Sequence, residues 1–118
     1  MQYLLLIYAN ENEIQAMAGA ELGTMMQEYA DFTKSVVQAG QFKAADRLRP
    51  VATASTVRVR NGKVVVTDGP FAETREQLGG YYQIEAKNLD EALAVAARIP
   101  SSKRGSIEVR PIWPAEDY

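Results

Sequence analysis

The sequence contains no cysteine and no histidine. Without cysteine the chain has no disulfide, no thiolate nucleophile and no thiolate metal site. Without histidine it lacks the usual general base near neutral pH and the commonest metal ligand. Any chemistry must therefore use carboxylates, tyrosines, lysines, arginines or backbone groups, and we predict neither a metal nor a cofactor.

Excess positive charge and long hydrophobic runs are also missing. The net charge is -2, and the basic residues are scattered among acidic ones. Nucleic acids and anionic membranes attract basic patches, so neither is a predicted partner. The apolar run from Tyr3 to Tyr8 is too short to span a bilayer and has no basic segment before it, unlike an export signal. We expect a cytoplasmic protein.

The composition is that of a globular protein. The 118 residues are 47% hydrophobic and 24% charged, and the glycines and prolines are spread along the chain. A chain of this length has room for one hydrophobic core. We therefore predict a single domain over residues 1–118.

Local patterns predict alternating strands and helices. The firmest is a hairpin, Thr56–Arg60 and Lys63–Thr67, because Asn61-Gly62 between two β-branched runs favours a type I′ turn. Thr74–Gln77 has the spacing of a capping box and supports one helical turn at most, which Gly79-Gly80 would end. The other predicted elements are a strand at 3–8, a helix from 22 to 37 ended by Gly40, a short strand or extended segment within 41–51, a strand at 81–86, a helix capped by Asn88 and ending at Pro100, and a strand at 107–110.

This order of elements is typical of an α+β, ferredoxin-like β-α-β-β-α-β fold with an antiparallel sheet. Two helices on either side of a hairpin would cover one face of that sheet. The first strand is apolar on both faces, since Tyr3, Leu5 and Ile7 alternate with Leu4, Leu6 and Tyr8. A second subunit packed sheet to sheet would bury the other face, so the sequence predicts a homodimer.

The longest motif runs from Val66 to Tyr82, VTDGPFAETREQLGGYY, and it resembles the signature of the DGPF-domain, or YCII-related, family. The opening YLLLIY, the central ASTVR and the closing EVRP are similar to the same family. The resemblance covers essentially the whole chain and implies a dimeric α+β barrel. Some relatives act on ring or lactone compounds with a histidine–aspartate pair, whereas this chain keeps Asp68 and has no histidine. The resemblance also implies a link to extracytoplasmic-function sigma factors, which makes such a factor a possible partner.

Asp68 is the candidate catalytic residue. It would lie at a strand end, beside a cleft between subunits, where a carboxylate can serve as general acid or base. Alternatively, Asp68-Gly69-Pro70 is only a turn, and the carboxylate accepts hydrogen bonds from its backbone N–H groups.

The candidate ligand-binding residues are polar groups near this motif or on the strands: Glu73, Arg75, Tyr81, Arg110, Arg58 and Tyr8. Arg75 can orient a carboxylate through paired donors, or it can lie on a solvated loop with weak ion pairs. Tyr81 and Tyr82 point to opposite faces of their strand, so only one can face a pocket. Arg110 can bind an anion or pair with a nearby carboxylate such as Glu108.

Two functions remain open from the sequence. The first is a homodimer that binds a small molecule or takes part in sigma-factor-linked regulation. The second is a cofactor-free isomerase, lyase or hydrolase for a small polar or aromatic compound, with Asp68 as acid or base.

Overall fold

The fold is built on a four-stranded antiparallel sheet whose strand order is β2-β5-β1-β6. The computed structural model describes residues 1–118. In chain order the elements are β1 (Gln2–Ala9), α1 (Glu11–Gln15), α2 (Gly19–Gln38), β2 (Phe42–Arg47), β3 (Ser55–Arg60), β4 (Lys63–Asp68), β5 (Gln77–Glu85), α3 (Leu89–Ala97) and β6 (Ser106–Pro111), with short 3-10 turns at 51–53, 100–103 and 115–117. This arrangement confirms the predicted α+β class and the ferredoxin-like order.

One face of the main sheet carries the hydrophobic core. Side chains on β1 alternate between buried and half-buried, which follows from the two-residue period of a strand. The buried set packs against α2 and α3, so both helices cover the same face. The core cluster contains Tyr3, Leu5, Ile7, Phe32, Val36, Tyr82, Ile84, Ala86, Ala92, Val95, Ala96 and Ile99.

The other face of the main sheet, which we call the open face, has no helix over it. Leu4, Leu6 and Tyr8 of β1 lie on it and are only half-buried. By register, Leu4 pairs with Gln83 and Arg110, and Leu6 pairs with Tyr81 and Glu108. The open face therefore combines an apolar centre with polar flanks.

Local signals for turns and caps were accurate. Asn61 and Gly62 both have positive φ, 53° and 74°, as a type I′ turn requires, and Gly40 has a φ of 72° after α2. The side chain of Asn88 accepts a hydrogen bond from the backbone N–H of Glu91 at 2.9 Å and so caps α3. The short strand expected within 41–51 is β2. The helix α1, capped by Asn10, was not predicted from the sequence.

The hairpin formed by β3 and β4 is not part of the main sheet, which corrects the expected topology. It forms a separate two-stranded sheet, inserted between β2 and β5. The second and third strands of the β-α-β-β-α-β order are instead β2 and β5. The Asn-Gly turn predicts which strands pair with each other, but no local signal says which sheet a hairpin joins.

The helical turn expected at Thr74–Gln77 is wrong. The hydroxyl of Thr74 donates to the backbone carbonyl of Glu76, and the side-chain amide of Gln77 donates to the backbone carbonyl of Thr74 at 2.6 Å. The strand β5 begins at Gln77. Gly79 and Gly80 therefore lie inside a strand and do not end a loop. At Gly80 the reason is a close approach, because a Cβ there would lie 2.7 Å from the carbonyl oxygen of Asp46.

None of the helices is both long enough and apolar enough to cross a membrane.

Candidate functional site

A cavity of about 360 Å³ lies at one end of the main sheet. Its wall comes from the last residues of β1, from α1, from the first half of α2, from the end of β2 and from the start of β5. A cavity of this size is within the range of small-molecule sites. Its apolar lining includes Ile7, Ile14, Met25, Met26, Leu48 and Pro50.

A hydrogen-bonded pair of hydroxyl groups lies in the cavity wall. The phenol oxygen of Tyr29 and the hydroxyl oxygen of Ser101 are 2.5 Å apart, and Ser101 is 7% exposed. Burial raises the pKa of Tyr29 above its ordinary value of 10.0, and the hydrogen bond to Ser101 opposes this shift. Tyr29 is therefore a neutral phenol at physiological pH, able to donate or accept a hydrogen bond.

Arg47 brings a positive charge to the same cavity. It pairs with Gly80 across β2 and β5, and Gly80 pairs with Ile7 on β1, so these positions share the helix-covered face of the sheet. Arg47 forms no ion pair in the structure, and its charge lowers the pKa of Tyr29 slightly against the effect of burial. Its guanidinium is available to an oxygen atom or anionic group of a ligand.

Two hydrogen bonds, accepted by the side chains of Gln77 and Glu11, hold the floor of the cavity in place. The side-chain oxygen of Gln77 accepts from the backbone N–H of Glu11 at 2.9 Å. The carboxylate of Glu11 in turn accepts from the backbone N–H of Val51 at 2.9 Å. These bonds join β5, α1 and the segment that enters the hairpin, so three distant parts of the chain are held together around the cavity.

A second polar pair is formed by Tyr81 and Asp46, two residues of the cavity wall. The Tyr81 phenol donates to a carboxylate oxygen of Asp46 at 2.5 Å. This hydrogen bond raises the pKa of Tyr81 above its ordinary value. By strand register these two side chains lie on the open face, opposite to the side that carries Arg47.

Asp68 lies outside the cavity. It ends β4 opposite Ser55, is exposed, and its side chain makes no hydrogen bond or ion pair within the chain. Its own turn does not occupy its carboxylate, and the expected cleft between subunits stays a prediction.

The other candidate residues do not gather into one site. Glu73 and Arg75 are exposed on the segment between β4 and β5, and Arg58 is half-buried on β3. The guanidinium of Arg110 is paired with Glu108 at 2.5 Å, and the Arg110 side chain is largely exposed. Of the seven candidates only Tyr81 lines the cavity, while Tyr8, Tyr81 and Arg110 share the open face. As expected, Tyr81 and Tyr82 point apart; the Tyr82 ring packs edge-to-face on Phe32 in the core.

Sequence reasoning missed Tyr29, Ser101 and Arg47. Tyr29 was assigned to the apolar stripe of a helix, which is usually core, and Ser101 follows the predicted end of another helix. Arg47 was read only as a residue that weakens a strand. Arg47 is the last residue of β2, and no local pattern of the sequence indicated that it faces a cleft.

No group of three or more carboxylates lies together as a candidate metal site. The polar residues of the cavity wall supply hydroxyls, amides, the guanidinium of Arg47 and the carboxylates of Glu11 and Asp46. The two carboxylates already accept hydrogen bonds within the chain, and the remaining groups suit an organic ligand with oxygen substituents.

Two known proteins are similar to this chain, one in sequence and one in fold. An uncharacterised protein of Rhizobium meliloti (strain 1021) is 39% identical over 114 residues, which cover 95% of this chain and 92% of that protein. Among solved structures, the 5-chloro-2-hydroxyhydroquinone dehydrochlorinase of Burkholderia phenoliruptrix, in complex with 2,5-dihydroxybenzoquinone, has a TM-score of 0.57 at 11% identity, with 98% of this chain and 97% of that one covered. That likeness supports the fold alone. The YCII-related domain model matches residues 1–116, and the chain therefore belongs to the YCII-related family.

Proposed function

We propose that the protein binds a small, mostly apolar molecule with oxygen substituents in the cavity bounded by α1, α2 and β5. The observation that carries this proposal is the Tyr29–Ser101 pair, a hydrogen-bonding group set in a largely apolar wall. Cavities with many apolar groups and few placed polar ones are the usual form of small-molecule sites. We further propose that the binding unit is a cytoplasmic homodimer.

The polar groups suggest how such a molecule would be oriented. A carbonyl or hydroxyl oxygen can exchange a hydrogen bond with Tyr29 or Ser101, while Arg47 attracts an oxygen that carries negative charge. The apolar residues on the other walls, such as Ile14 and Met25, would contact the body of the ligand. A single ring with hydroxyl or carbonyl groups fits both requirements.

The structural neighbour suggests a first probe. That enzyme is described in complex with 2,5-dihydroxybenzoquinone, which is a flat ring with four oxygen substituents. The likeness to this chain is in the fold, so the compound serves only as a representative of its chemical class.

The experiment is calorimetric titration of the protein with 2,5-dihydroxybenzoquinone and a panel of one-ring phenols. We expect binding by the wild type, and affinity weaker by about threefold to tenfold in Tyr29→Phe, because one hydrogen bond is lost. Tyr118→Phe is the matched control, since Tyr118 is 87% exposed at the end of the chain. Absence of binding by every ring compound, or equal affinity in both variants, would contradict the proposal.

A second candidate function is catalysis without a cofactor, of the isomerase, lyase or hydrolase type. The specific observation in its favour is that Tyr29 offers a protonated phenol inside the cavity, where it can donate to a substrate oxygen. Asp68 remains the proposed carboxylate acid or base, and it would have to reach a ligand from a different chain of the assembly. Turnover of a bound ring compound that survives unchanged in Asp68→Asn would remove Asp68 from this mechanism.

Regulation through a sigma factor is a proposal of a different kind. It is supported by the family resemblance alone. A pull-down with a co-encoded sigma factor, followed by a transcription assay, tests it directly. No binding and no change in transcription would dismiss it.

A further inference from the structure

The hairpin of β3 and β4 has one apolar face that nothing in the chain covers. Val57 pairs with Val66, and Val59 pairs with Val64, so these four side chains lie on the same side of the hairpin. Their exposed fractions are 61%, 61%, 59% and 68% in that order. We call this surface the valine face. The opposite side is mostly polar or basic and carries Thr56, Arg58, Arg60, Lys63, Val65 and Thr67.

The hairpin lacks support from the rest of its own chain. It pairs with no strand of the main sheet, and an isolated two-stranded hairpin is only marginally stable in water. Four adjacent β-branched side chains on one face are typical of a sheet surface that packs against another layer. The valine face therefore requires a covering surface.

The size of the uncovered surface indicates what covers it. The chain exposes 8213 Å² and buries only 15 of its 118 residues, whereas a compact monomer of this mass exposes about 6300 Å². The radius of gyration is 16.4 Å, against about 13.5 Å for a compact domain of this length. The excess of roughly 1900 Å² per chain is the area that each partner buries in an obligate homodimer.

We infer that the valine face packs against a second copy of this chain. A two-fold dimer can bury two uncovered surfaces at once, and the open face, with Leu4, Leu6 and Tyr8 at its centre, is the second uncovered surface of the same molecule. The low net charge of -2 offers little repulsion between two copies. This inference rests on the homodimer in the proposed function and assigns the hairpin to its interface.

The first test compares two double variants of β4 by light scattering at micromolar concentration. Val64→Lys with Val66→Lys changes the valine face, while Val65→Lys with Thr67→Lys places the same charges on the opposite side of the same strand. We expect wild type and control at twice the 13.0 kDa chain mass, and the valine-face variant at the monomer mass. A monomeric wild type, or a valine-face variant that stays dimeric, would overturn the inference.

A second measurement avoids any disruption of the interface. Because the chain has no cysteine, a single Val64→Cys or Val65→Cys provides one thiol whose reaction with a soluble maleimide reports local exposure. In the single chain Val64 is 68% exposed and Val65 44%, so we expect the faster reaction at position 64 in the monomer and the slower one at position 64 in the dimer. If position 64 still reacts faster than position 65 in the dimer, the copies meet elsewhere and the inference is overturned.

Ligand binding is measured on the same samples. If 2,5-dihydroxybenzoquinone binds the wild type while position 64 reacts freely, the interface assignment fails and the cavity proposal stands. If position 64 is protected and no ring compound binds, the cavity proposal fails and the interface stands.

Discussion

The phenol oxygen of Tyr29 and the hydroxyl oxygen of Ser101 lie 2.5 Å apart, although 72 residues separate them in the chain. Their hydrogen bond joins the middle of α2 to the 3-10 turn after α3. It closes the cavity on the helix side of the sheet. The stability of the fold and the proposed ligand binding thus depend on the same pair.

Removal of one member of this pair should destabilise the fold. Tyr29→Phe leaves the Ser101 hydroxyl buried without its partner, which costs about 1–3 kcal/mol. The double variant Tyr29→Phe with Ser101→Ala should lose less than the two single losses combined, because no unpaired group remains. Urea denaturation measures each free energy of unfolding. Additive losses would show that the two hydroxyls are not coupled.

Stability should fall at alkaline pH through Tyr29. Its pKa is raised in the folded state from 10.0, so the folded state holds this proton more tightly than the unfolded state. The contribution of the neutral Tyr29 phenol to the free energy of unfolding is fully present below pH 10. It is lost as the pH rises from there through the folded pKa. Tyr81, which is also raised, adds to the same decline.

Comparison of the wild type with Tyr29→Phe isolates the contribution of Tyr29 to this loss of stability at alkaline pH. Urea denaturation across this alkaline range should show a smaller decline in the variant than in the wild type, with the Tyr81 contribution common to both. Parallel declines would show that Tyr29 has no shifted pKa.

Gly80→Ala should separate β2 from β5. The new Cβ would lie 2.7 Å from the backbone carbonyl oxygen of Asp46, which cannot move without distorting the strand pairing. Such overpacking costs roughly 1–3 kcal/mol. Gly79→Ala is the control, since a Cβ there meets nothing within 4 Å. The free energy of unfolding, measured by urea denaturation, should be clearly lower for Gly80→Ala than for Gly79→Ala. Equal free energies would contradict the close approach of Gly80 to the Asp46 carbonyl.

Gln77→Met should loosen the cavity floor. It removes the acceptor for the backbone N–H of Glu11 and the donor to the carbonyl of Thr74. A partly buried N–H without a partner costs about 1–3 kcal/mol. Gln27→Met, which breaks an exposed bond to Asp31 on α2, should change the free energy of unfolding by less than about 0.5 kcal/mol. A similar loss in both variants would show that the floor contributes no special stability.

Much of the local structure could be predicted from the sequence. The Asn61-Gly62 turn, the Asn88 cap and the left-handed Gly40 each depend on the conformational preferences of one or two residues, so local chemistry decides them. The apolar residues on both faces of β1 predicted helices on one face and a second subunit on the other. The helices do cover one face, and the second subunit stays a prediction. The helical turn predicted at Thr74–Gln77 is absent. Its capping-box spacing takes account of local hydrogen bonds only, whereas Gln77 accepts a hydrogen bond from the distant Glu11.

The sequence by itself determined the class of fold and the chemistry that is missing, because composition and periodicity are properties of the chain. The family was indicated by the resemblance of the motif from Val66 to Tyr82. Only the tertiary structure decided that Tyr29, Ser101 and Arg47 meet in a cavity, that Asp68 lies outside it, and that the hairpin leaves the main sheet with its valines exposed. Those facts depend on contacts between residues far apart in sequence. Such contacts are selected by the packing of the whole chain, so no local pattern records them.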